Sequence, residues 1–210
     1  MRFCWIWESD PGEHPKYAEF KATLYSTFDP NFRAYFQDDP PATIRLNEIR
    51  WGGVRRDGIP SLRNPAMIPA GEATYLEDDD IVFGIKVNGD TRAYPKRILA
   101  WHELFTDTVG ETPVAGVYCT LCGTMIVYQT TVNGVDHLVG TSGFLYRSNK
   151  LMYDQGTSSL WSMMTGQPVV GPLVDQGIEL KKLPVVTTTW GLWQSLHPET
   201  TTLSLETGHT

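Results

Sequence analysis

The residues best suited to chemistry are two thiols in one short run, Val114-Ala115-Gly116-Val117-Tyr118-Cys119-Thr120-Leu121-Cys122-Gly123-Thr124. A Cys-x-x-Cys pair serves either thiol–disulfide exchange or metal ligation. In redox sites of the thioredoxin type a helix follows the pair, and its N-terminus lowers the first thiol's pKa. Here the residues after Cys122 are Thr124-Met125-Ile126-Val127-Tyr128-Gln129-Thr130-Thr131-Val132, which is a strand composition. Asn133-Gly134 then signals a hairpin turn. A strand–Cys-x-x-Cys-Gly–strand arrangement turns both sulfurs toward one point, with Gly123 supplying a positive φ. That is half of a tetrahedral metal site, so a zinc or copper ion is the first expectation. Thiol–disulfide exchange, with Cys119 attacking and Cys122 resolving, is the second. A purely structural knuckle in a non-enzymatic binding domain is the third.

Histidine is the natural supplement to two thiolates, and the chain has five: His14, His102, His137, His197 and His209. After Pro95, residues Ile98, Leu99, His102 and Phe105 recur at helical spacing, which predicts a helix over 96–105 with His102 on its apolar face. Taken alone, His102 reads as a hydrogen-bonded core histidine. The thiol run that follows makes it the expected third ligand. Glu103 beside it is the candidate base, or the group that orients an imidazole. His209, beyond a last strand near 202–205, is the fourth ligand candidate. His137 follows a turn and is expected to be exposed. Cys4 is the remaining thiol and stands near the N-terminus. Met152, Met163 and Met164 would suit copper(I) as thioethers, but methionines at such spacing more often fill a core.

The chain's 210 residues suit one domain, and 41% hydrophobic content with seven tryptophans allows a substantial core. A net charge of −7, from 17 basic and 24 acidic residues with no basic patch, argues against a nucleic-acid partner. The expected partner is a small-molecule substrate or a metal ion. Glu77-Asp78-Asp79-Asp80 reads as a solvated turn, because a calcium loop needs oxygen ligands at alternating positions. No stretch reaches the length of a membrane span, and the opening run Met1 to Trp7 is too short for a signal peptide's apolar region. Residues 1–57 read as a lead-in, with a short helix over 16–25 whose packing face is Tyr17, Phe20 and Leu24. Residues 58–210 read as one domain. Within it, residues 81–87 and 91–94 form a hairpin, 141–149 a polar loop, and 190–196 a helix capped by Thr189 that packs through Trp190, Trp193 and Leu196. At least seven strands and two or three short helices give an α+β, mostly β fold of antiparallel strands and hairpins around a single core. The chain stops at Thr207-Gly208-His209-Thr210 with no element completed, so truncation at that end is expected.

Six ordered elements carry a family resemblance: Trp101-His102-Glu103, Tyr118-Cys119-x-Leu121-Cys122-Gly123-Thr124, Ser142-Gly143-x-Leu145-Tyr146, Leu151-Met152-Tyr153-Asp154, Ser159-Leu160-Trp161 and Thr207-Gly208-His209. Together they resemble the bacterial and archaeal family called domain of unknown function 3179, over roughly residues 58–210. The resemblance implies that His102, Glu103, Cys119, Cys122 and His209 occupy the family's characteristic polar positions. It implies an exported or periplasmic protein, and a continuation past Thr-Gly-His into an Arg-Asp-Tyr stretch. Two positions depart from the pattern. Thr120 stands where a proline usually separates the cysteines, which loosens the loop without removing a ligand. Gln155 stands where an arginine often follows Met-Tyr-Asp, which weakens an anion-binding role there.

Overall fold

The computed structural model describes His14 and residues 16–209; Cys4 lies outside them. The fold is α+β and mostly β, built among the described residues from three five-stranded sheets and one small hairpin. Four α-helices of ten residues or fewer, one more than the most expected, lie among the described residues.

The thiol-bearing sheet runs Lys181–Leu183, Thr124–Gln129, Thr112–Cys119, Leu104–Val109, Leu62–Arg63. Its middle is the expected hairpin, in which Val117 pairs with Ile126 and Cys119 with Thr124. The strand Thr112–Cys119 is buried on both faces from Val114 onward, which is why it reads as a continuous apolar run rather than an alternating one. The two-residue period sends Val114 and Tyr118 into a cluster with Phe105, Tyr94 and Leu99. Ala115, Val117 and Cys119 go the other way, against Leu104, Met152 and Trp161. Cys119 therefore faces a core.

The second sheet runs Val186–Thr189, Ile81–Val87, Asp90–Pro95, Thr201–Leu203, Met67–Pro69. Asn88 and Gly89, at φ 49° and 90°, make its tight hairpin turn. The last strand, Thr201–Leu203, lies parallel to Asp90–Pro95 and carries the chain's end back toward the thiol sheet. Helix Trp190–Leu196 closes this sheet by laying Trp193 over Gly84, where an added Cβ would stand 2.3 Å from the indole ring. Its bounds are those expected, but the Thr189 hydroxyl makes no cap hydrogen bond and Leu196 is exposed.

The third sheet runs Ile49–Trp51, Val139–Tyr146, Asn149–Asp154, Leu160–Ser162, Pro168–Val170. Residues 141–149, expected as a loop, instead form most of a hairpin between Val139–Tyr146 and Asn149–Asp154. Their small polar residues serve a bulge: the register shifts between Thr141 and Leu145, and Gly143 takes φ +84°.

Two helix expectations need correction. The first helix spans Tyr17–Ser26 but buries Ala18, Lys21, Ala22 and Tyr25, leaving Phe20 56% and Leu24 43% exposed. The surface beneath it is already aromatic, with Phe36 and Phe144, so small alanines fit there. Lys21 reaches through to donate to Ile49 O at 2.9 Å, its ammonium between 4.9 and 5.8 Å from the rings of Tyr17, Tyr25 and Phe36. The second correction concerns the histidine helix, which spans Lys96–His102 and stops before Phe105. Glu103 turns left-handed, at φ 56° and ψ −15°, and its N–H caps Leu99 O. Leu104 and Phe105 then enter a strand, where Phe105 stacks on Tyr94 at 3.8 Å.

Gly84→Ala is expected to overpack the Trp193 contact and lower unfolding stability by about 1–3 kcal/mol, measured by urea denaturation. Burial, with Arg50 nearby, lowers the Lys21 pKa to about 8 from 10.5. The unfolded chain therefore binds more protons between those values, so stability from this group rises with pH across that window. Lys21→Met is expected to flatten that rise when denaturation midpoints are compared from pH about 7.5 to about 10.

Candidate functional site

The loop Thr120–Gly123 joins two strands of the thiol sheet and is exposed throughout, with Gly123 at φ +62°. Cys119 and Cys122 flank its bend and are joined in a disulfide, their Cα atoms 5.5 Å apart. The two sulfurs are not equivalent. Cys119 is 2% exposed and packed into the core, whereas Cys122 is exposed, with its sulfur 3.8 Å from Asn149 Oδ1.

Glu103 lies against this loop. Its left-handed turn takes it out of the helix, so its carbonyl accepts from Tyr118 N–H at 2.8 Å. Its carboxylate accepts from the Thr120 hydroxyl at 2.7 Å and from the Lys150 ammonium, which also donates to Tyr118 O at 3.3 Å. Glu103 and Lys150 are both buried. Burial pulls the Lys150 pKa below its ordinary value, opposed by the charge and hydrogen bond of Glu103. Glu103, Lys150, Cys119 and Thr120 line one cleft of about 170 Å³ together with Gly52 and Ile59. A cavity near 150 Å³ holds a benzene-sized molecule, so this one takes a small group or a single side chain.

His102 is buried, as its helical position predicts, and its Nδ1 lies 2.7 Å from Pro60 O. A carbonyl only accepts, so Nδ1 is the donor in this contact. The exposed His209 lies beside it, with ring centroids 5.3 Å apart. The structure thus brings together two pairs, the cysteines with each other and the histidines with each other. Among the described residues no three His, Cys, Asp or Glu side chains form a group that would hold a metal ion. Met152 and Met163 are fully buried core residues.

His137 corrects its expectation of exposure: it is buried, packs on Trp161, and lies 3.2 Å through Nδ1 from Asp154 Oδ2. Sequence reasoning missed Lys150. The signal was there, because a lysine two residues before Met152 on a strand shares its inward face. Residues 1–57 read as a lead-in from the sequence, yet Gly52 and Val54 line the cleft.

The family model described as protein of unknown function (DUF3179) matches residues 56–210, and the chain belongs to that family. Neither the curated proteins nor the solved structures yield a match. No helix among the described residues is long and apolar enough to cross a membrane.

Lys150→Met leaves the Glu103 carboxylate buried without its cation. It is expected to cost the oxidised protein about 3–5 kcal/mol of unfolding stability. Adding Glu103→Gln to that variant is expected to recover part of the loss, measured by denaturation of both variants.

Proposed function

We propose that this family member carries a thiol–disulfide exchange centre in which Cys122 meets the partner and Cys119 resolves. The observation that carries this reading is the unequal burial of two bonded sulfurs. Exchange requires a thiolate to approach one sulfur of a disulfide, so access decides which sulfur is attacked. Only Cys122 offers that access, which reverses the order expected from chain position. The buried sulfur of Cys119 then leaves on reduction, and closes the ring again on oxidation. Leu121, the residue before Cys122, is 71% exposed, which puts apolar contact area in the reacting loop.

Zinc or copper binding would need both sulfurs as thiolates, so it competes with the disulfide for the same atoms. Metal content of the reduced protein separates the two. About one ion per chain, lost when both cysteines become serine, would favour the metal centre.

Differential alkylation tests the exchange reading, in a Cys4→Ser background so that only two thiols respond. After reduction under folding conditions, Cys122 is expected to label at least about tenfold faster than Cys119. Reoxidation is expected to remove both thiols without loss of near-ultraviolet circular dichroism. Thiols that appear only on unfolding would make the disulfide a structural staple and overturn the reading.

A further inference from the structure

Resolution poses a physical problem that the exchange reading leaves open. Cys119 must attack as a thiolate, yet it is 2% exposed and sits among Leu104, Val117, Met152 and Trp161. Apolar burial disfavours a thiolate, so the buried thiol holds its proton unless a neighbouring group takes it. At 2% exposure Cys119 meets solvent only along the cleft it lines, so an acceptor fixed on that cleft wall serves it best.

One built group meets that need. Glu103 is a buried carboxylate on the wall of the same cleft that Cys119 lines. Its position is fixed three times over: by the helix-ending turn, by the Thr120 hydroxyl and by the Lys150 ammonium. Thr120 is the residue next to Cys119, so the hydrogen bond to Glu103 ties the reacting loop to the carboxylate. The charged and titratable groups beside it are Lys150 from the third sheet, Tyr118 from the thiol strand, Cys119 on the same cleft wall, and His102, the preceding residue, whose ring lies against that of His209. His102 Nδ1 is engaged by Pro60 O. The cleft supplies the route by which a proton on Glu103 reaches solvent.

We propose that Glu103 is the base that takes the Cys119 proton during resolution, with Lys150 as the positioning residue that holds its carboxylate. The inference rests on the exchange reading above. In the reduced protein, the Cys122 thiolate attacks one sulfur of a partner disulfide R–S–S–R. A bond forms between Cys122 Sγ and that sulfur, the partner's S–S bond breaks, and one R–S⁻ leaves. Cys119 Sγ then attacks Cys122 Sγ as its proton passes to the Glu103 carboxylate. The Cys119–Cys122 bond forms, the mixed disulfide breaks, and the second R–S⁻ leaves. The protein loses two electrons and the partner disulfide gains them. Glu103 returns its proton to water through the cleft.

The test uses the chromogenic disulfide dithiobis(nitrobenzoate) with reduced protein in the Cys4→Ser background, following thionitrobenzoate release by stopped flow. The unaltered site is expected to release two equivalents in two phases, and Cys119→Ser only the first. Glu103→Gln is expected to slow the second phase at least about tenfold relative to the first, with Glu103→Asp restoring part of it. The pH profile gives an answer that needs no variant. With a carboxylate base, the second phase levels off below the range where a free thiol ionises, near pH 8.5. A second phase that keeps rising through that range, or equal second phases in Glu103→Gln and the unaltered site, would overturn the role of Glu103 and leave the exchange reading standing. Absence of a second equivalent in the unaltered site would overturn the exchange reading itself.

Discussion

The buried ion pair between Glu103 and Lys150 is the interaction on which the site depends. It joins two sheets, because Glu103 precedes a strand of the thiol sheet and Lys150 belongs to the third sheet. The same carboxylate holds Thr120, the same ammonium holds the Tyr118 carbonyl, and both contacts flank Cys119. The pair forms only because Glu103 leaves its helix in a left-handed turn. Had the helix continued to Phe105, Glu103 would point away from the face that carries His102, and no carboxylate would meet the loop.

Such a pair is a weak source of stability. Taking two charges out of water costs several kcal/mol per ion, and an apolar pair of equal volume would join the sheets as well or better. Under the proposed exchange, a buried, hydrogen-bonded pair on the wall of the cleft that Cys119 lines serves to move a proton. The unequal burial of the sulfurs fits the same division of labour. One sulfur meets the outside, the other stays in the core, and the ion pair shares a cleft wall with Cys119.

Much of this was legible in the chain. The strand composition after Cys122 and the Asn133-Gly134 turn placed the thiols between two strands, and the helical spacing of Ile98, Leu99 and His102 buried that histidine correctly. Three features hid from pattern reading, each for a physical reason. The helix end at Glu103 rests on a non-glycine residue in a left-handed conformation, which no local turn residue announces. The strand at 139–146 is bulged and rich in Thr, Ser and Gly, so its composition imitates a loop. The first helix buries a lysine in place of its phenylalanine, because the aromatic surface beneath has room for alanines and for a cation among rings. Which cysteine faces solvent was not readable either. Chain order says nothing of burial, and the strand's inward period decided it.

An equilibrium redox titration, with the protein poised in mixtures of reduced and oxidised dithiothreitol and its thiol state and tryptophan fluorescence read on the same samples, tests the central claim most directly. The account predicts a reversible two-electron transition between disulfide and dithiol while the tryptophan signal stays native. Reduction that occurs only together with loss of the native fluorescence would contradict it, and would make the Cys119–Cys122 bond part of the scaffold rather than the centre of the chemistry.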